Sequence, residues 1–294
     1  MAIASTDTDI DTRARRKLDL GSPIVYLVAL IVICATVVPV AYIVINGFRT
    51  TKQINESLAG WPDPWTFANY GRVLFGEDTL FWNQAGTSTL IAVGTTLGVV
   101  VFGVMAAFVI ARYEFRARNA LYALFTAGLL FPISVAILPL SIMLRTLGLN
   151  GSPLGVIIPQ IAFALPTTII ILVPFLRAIP RELEEAAMID GTSRIGFFWR
   201  ILLPLSGPGL VTVGVLAFVN SWNGYLLPLF VLGAGGAGQE NYTLPLGVQQ
   251  FSTQYSADTA GVLAFTSLAM IPALLFFTLA ERRIVGGLTG AVKG

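Results

Sequence analysis

The sequence predicts an all-α, polytopic membrane protein: six transmembrane helices and one charged helical hook. Three observations carry that expectation. The chain is 55% hydrophobic and only 12% charged over 294 residues, about half the ~25% charge content of soluble domains. Six stretches reach the roughly 20 apolar residues needed to cross a hydrocarbon core. Between the fourth and fifth lies "RELEEAAMIDGTSRIGFFWRILLP", Arg181 to Pro204, with most of the acidic residues of the second half of the chain.

The expected spans are 24–46, 85–111, 120–144, 154–176, 205–233 and 259–280, with interiors free of Asp, Glu, Lys and Arg. Pro139, Pro159, Pro166 and Pro228 fall within spans, where kinks are expected. The first span follows Arg13, Arg15, Arg16 and Lys17. Its length exceeds the ~7–15 residues of a secretory h-region, so it reads as an uncleaved anchor.

Basic residues orient the chain. The first basic group shares one side with Arg112, Arg116, Arg118, Arg177, Arg181, Arg194, Arg200, Arg282, Arg283 and Lys293. Only Arg49, Lys52, Arg72 and Arg145 lie opposite. Both termini and the hook are therefore expected in the cytoplasm, with the loops at 47–84 and 234–258 outside. The second of these opens on Gly233-Ala234-Gly235-Gly236-Ala237-Gly238, which reads as flexible linker.

Composition excludes several chemistries. There is no histidine, the commonest general base and metal ligand. The lone Cys34 sits in an apolar run and reads as packing. A net charge of +2 without an aromatic-interleaved basic patch speaks against nucleic acid. Lys17, Lys52 and Lys293 are the only lysines, and none has the glycine-rich phosphate-cradling context of an ATPase loop. An ion-coupled secondary carrier of a small neutral solute is the alternative, but proton-coupled carriers place ionisable groups inside the membrane.

Within the hook, Pro180 suits a first helical position, and Glu182, Glu184 and Glu185 suit the positive end of a helix dipole. Gly191 fits a left-handed stop. Thr192 or Ser193 then caps a second helix running from Arg194 to about Leu203. Leu183, Ala186, Ala187 and Asp190 recur on one face at helical spacing, a low surface against which another protein could dock. Glu184, Glu185 and Arg194 would supply charged contacts at its rim. The competing reading is an interfacial helix, but those are rich in Lys or Arg, and this one is acidic.

Glu185-Ala186-Ala187, then Gly191, Ile201, Leu203 and Pro204, resembles the EAA loop of membrane subunits of bacterial ATP-binding-cassette importers. Every fixed position of that pattern is filled. Asp190-Gly191 and Glu184 resemble its carbohydrate-importing branch. Ala106-Ala107-Phe108 through Ala111-Arg112-Tyr113-Glu114-Phe115, Leu147-Gly148-Leu149, Ser221-Trp222-Asn223, Leu244-Pro245-Leu246-Gly247 and the tail Gly286 to Gly294 are similar to further family motifs, the tail to that of the maltose-transporter second membrane subunit. Thr87-Ser88 and Gly224 depart from the family, which usually has Asn-Ser and often an acidic residue there.

The resemblance implies a cytoplasmic tail at 1–22, a permease domain at 23–284 with its coupling loop at 181–204, and a second cytoplasmic tail at 285–294. It implies a bacterial inner-membrane location. The implied partners are a second homologous permease, two ATPase subunits that bind ATP and Mg, an extracytoplasmic sugar-binding protein and membrane lipid. This chain itself would bind no cofactor and no metal, and would have no catalytic residues. Glu184, Glu185, Ala186, Ala187, Asp190, Gly191 and Arg194 would couple to the ATPase, and Thr289 to Gly294 would approach it. In the fifth span Asn220, Ser221, Trp222, Asn223 and Tyr225 form a polar and aromatic island. It reads either as sugar contacts or as interhelical packing. Gln160, Thr167 and Thr168 are further pathway candidates.

Overall fold

A computed structural model describes residues 23–251 and 258–292, with side chains through 278. The expected N-terminal tail, 1–22, and the last two residues lie outside the described residues. Every regular element described is helical. Four helices are long and apolar enough to cross a membrane, or six spans if two bent pairs each count as one.

Residues through Tyr42 cluster as one unit and those from Ile43 as a second. The first unit holds most of the helix Pro23–Asn46. Side chains from Ile24 to Val38 along it are exposed, as an all-apolar helix surface can be where lipid replaces water. Cys34 is exposed with them.

In the second unit, spans two and four, Phe81–Arg112 and Pro153–Ala178, form the central pair. Small residues let them approach closely: a Cβ on Gly98 would meet Ile161 at 2.2 Å, and one on Gly103 would meet Thr168 at 2.4 Å. Such contacts replace the missing hydrophobic drive between helices in lipid.

The third and fifth spans are broken. Arg118–Gly128 and Ile133–Thr146 meet at 99°, and Arg194–Leu205 and Gly207–Trp222 at 74°. The break in the third span falls before Pro132, whose lack of an N–H ends the first arm. Pro139, Pro159 and Pro166, where kinks were expected, lie inside unbroken helices. The fifth expected span is not one helix either. It stops at Trp222, turns through Asn223 and Gly224, and resumes as Leu226–Pro228 and a wide turn at Leu229–Gly233. The sixth helix runs Thr259–Val292, past the expected boundary at 280.

The glycine run after the fifth span is anchored at Gly235, contrary to the linker expected. Gly151 donates its N–H to Val231 O at 2.7 Å. A Cβ on Gly235 would lie 1.8 Å from that same carbonyl. Ala234 and Ala237 donate back to Leu229 and Leu232. Here the glycines permit backbone to meet backbone rather than to move freely.

At this same end of the spans, Thr50 and Gln53 form a capping box on Thr51–Glu56. Arg49 is buried, donating to Asn46 Oδ1, Gln53 O and Ser57 O. Asp258 precedes the sixth helix and accepts from Gly261 N–H and the Thr51 hydroxyl, both at 3.0 Å, and pairs with Arg72. Burial would raise the Asp258 carboxyl, but these three donors more than offset it and hold it below its ordinary value.

Candidate functional site

Two places gather the residues singled out in the sequence: the hook at one end of the spans and a cleft among spans two, four and five. The hook helix is Glu182–Ile189, opened by Arg181 with three acidic residues in its first turn. Gly191 follows with φ of +80°, where any side chain would be strained, and Thr192 N–H closes the turn onto Ala187 O at 2.8 Å. Ser193 caps the next segment by accepting from Gly196 N–H at 3.1 Å. The expected second helix is only Arg194–Phe197 before it widens into a π segment, Phe198–Leu202.

The expected docking face is split. Ala187 is 5% exposed and packs into the core formed by Ile169, Leu172, Leu176, Phe197 and Phe198. Leu183, Ala186 and Asp190 face outward, together with Glu185 and Met188. Ile189, not singled out in the sequence, is 87% exposed. The hook thus has one seated side and one bare side.

Glu184 and Arg194, expected at a docking rim, take part in bracing the hook. Arg112, at the end of span two, lies 3.9 Å from Glu184 and donates to Ile179 O at 2.8 Å. Its side chain is 2% exposed. Arg194 lies over the Tyr113 ring at 5.3 Å, and Arg181 pairs with Glu114 at 3.9 Å. The run Arg112-Tyr113-Glu114 therefore receives the hook. The signal for this was present in the sequence: its charges are opposite to those of Glu184 and Arg181.

The cleft has a volume of about 570 Å³, within the ~300–1,000 Å³ of ligand sites. Of the island it takes in Asn220, Ser221 and Tyr225, and it adds Gln160, Thr167, Thr168 and Thr95. Gln160 is central: its Oε1 accepts from Thr95 Oγ1 at 2.9 Å and from Ser221 Oγ at 2.6 Å. Tyr225 OH accepts from Gln249 Nε2 at 2.6 Å. Among the described residues no Asp, Glu, Lys or Arg lines the cleft. Its irregular wall at Gly224 and Tyr225 is of the kind tolerated at membrane depth where it borders a cavity.

Trp222 and Asn223 do not line this cleft. They border a second cavity of about 420 Å³ beside Leu244 and Pro245. Trp222 is 4% exposed, stacks on Phe218 and donates its indole N–H to Ala269 O at 3.2 Å. Helical geometry explains the division, since neighbours at i and i+1 point about 100° apart. Thr95 was not singled out in the sequence; a hydroxyl in an apolar span was its only mark.

Residues 99–288 match the family described as binding-protein-dependent transport system inner membrane component. The match covers more than half of the chain, which belongs to that family. The trehalose transport system permease protein SugB of Mycobacterium tuberculosis is 35% identical, over 90% of this chain and 95% of its own length. The diacetylchitobiose uptake system permease protein NgcG of Streptomyces coelicolor is 32% identical, over 86% of this chain and 82% of its own. A chain in the crystal structure of a bacterial ABC transporter involved in the import of the acidic polysaccharide alginate shares the fold. Its TM-score is 0.74 at 21% identity, covering 88% of this chain and 94% of that one.

Proposed function

We propose that this chain is one of two membrane-spanning permease subunits of an ATP-binding-cassette importer. It carries a sugar, a disaccharide, oligosaccharide or related glycan, into the cytoplasm of a bacterium across the inner membrane. Both termini and the hook face the cytoplasm. Two separate subunits bind ATP and Mg and hydrolyse the nucleotide, while an extracytoplasmic binding protein delivers the sugar. A chain with this fold is known in complex with such a delivery partner: the alginate transporter with its pentasaccharide-bound periplasmic protein.

The observation that carries the reading is the hook's two-sidedness. Ala187, Glu184 and the Arg112 brace seat it on the same spans that wall the cleft. Glu185, Ala186 and Ile189 leave its other side free for a motor. A push on the free side is delivered to spans two and four, which carry Thr95 and Gln160. Closure and opening of the ATPase pair would then widen and narrow the cleft from alternate sides. Asn220, Ser221, Tyr225 and Gln160 offer amides and hydroxyls to sugar hydroxyls along the way.

The test is uptake by the purified complex in liposomes. Import is expected only with ATP and the partner ATPase present. Uptake by this chain alone under an ion gradient, without nucleotide, would favour the secondary-carrier alternative and sink the reading.

A further inference from the structure

We infer that Gln160 is a specificity-determining donor of the cleft, presenting its carboxamide N–H groups to an acceptor oxygen of a neutral polyol or glycan, and that Gly224 keeps that approach open. The inference rests on the sugar-import reading above.

The two ends of the Gln160 amide are treated differently. Its oxygen is saturated: two lone pairs receive the hydroxyls of Thr95 and Ser221. Those bonds tie it to spans two and five and fix the amide plane, as a recognition group requires. Its nitrogen carries two donors, and no described residue accepts from it. That nitrogen is not among the enclosed polar atoms left without a partner, so the open cleft reaches it. A tie between helices would need only the oxygen; the donors are surplus to it.

Gly224 stands next to this nitrogen. A Cβ there would lie 3.1 Å from Gln160 Nε2 and 3.0 Å from Ser221 O, crowding the side a ligand would use. Among the described residues the cleft offers no charged side chain, so nothing there offsets the full charge of an anion. The ligand that fits is neutral and rich in oxygen lone pairs.

The experiment reconstitutes the whole complex, with its partner subunits and binding protein. It reads radiolabelled trehalose or diacetylchitobiose delivered per ATP hydrolysed. Gln160→Glu keeps both acceptor bonds and the side-chain shape but replaces the donor nitrogen. Delivery per ATP is expected to fall at least about fivefold to tenfold, the worth of one lost hydrogen bond, since the new carboxylate also adds a charge with no partner in the cleft. Gly224→Ala keeps Gln160 and is expected to lower delivery in the same direction. It decides the matter if the glutamate variant does not assemble. Wild-type delivery in Gln160→Glu, or in Gly224→Ala where that variant alone assembles, overturns the inference and leaves the import reading standing. If the unaltered complex delivers no member of a panel of neutral disaccharides and oligosaccharides under ATP, the import reading fails and the inference with it.

Discussion

The hook and the cleft are built in opposite ways. The hook is contiguous: helix, left-handed glycine, capped turn and π segment follow one another from Glu182 to Leu202. The cleft is assembled from afar. Gln160 bonds a partner 65 residues before it and another 61 residues after it. One is a shape that a single stretch of chain can specify, and the other exists only once the spans have packed. The difference separates what local chemistry dictates from what tertiary structure adds.

Three predictions press on that contrast. The largest effect is expected at Gly191. Valine there must hold φ near +80°, at a cost of roughly 1–3 kcal/mol. Sugar delivered per ATP should fall tenfold or more while the complex still purifies intact. Unchanged delivery would remove Gly191 from coupling.

Next come the two adjacent alanines, which one motif treats as a pair. Ala187→Leu forces extra volume into the core and should destabilise the solubilised chain by about 1–3 kcal/mol. Ala186→Leu adds the same volume on the bare side and should shift stability by less than ~0.5 kcal/mol, yet weaken binding of the ATPase subunit. Equal thermal shifts in the two variants would contradict the two-sided hook.

The smallest effect lies at the other end of the spans. Asp258 has a lowered pKa in the folded chain, so its contribution to stability is present above the ordinary carboxylate range. That contribution is lost as pH falls through the folded value. The Arg72 pair is partly exposed, which limits its worth to about 1 kcal/mol. Asp258→Asn should flatten melting temperature against pH below about pH 5. An unaltered profile would mean the clasp does not stabilise the fold.

Legibility followed the same division. All-apolar lengths pointed to helices, Gly191 marked its own conformation and the cap was narrowed to Thr192 or Ser193, because length, φ and capping are local properties. The fifth span was read as one helix because Asn223-Gly224 is a short interruption in an apolar run. Which way Ala187 and Trp222 point could not be read from spacing: a helix apolar on several sides has no single inward direction until its neighbours arrive. Arg112 was visible as part of a motif, but its partners Glu184 and Ile179 lie 72 and 67 residues away in the chain.

The glycine run at 233–238 carries a practical consequence. Epitope tags and fluorophores are commonly placed in glycine-rich loops, where insertion is tolerated. Here the run is a seam, with Gly235 pressed on Val231 O beside the Gly151 amide. A label inserted between Ala234 and Gly236 would separate two backbones that touch. The exposed side chains of Lys52 and Glu56, on the short helix there, offer a reporter on that face a point of attachment that leaves the seam closed.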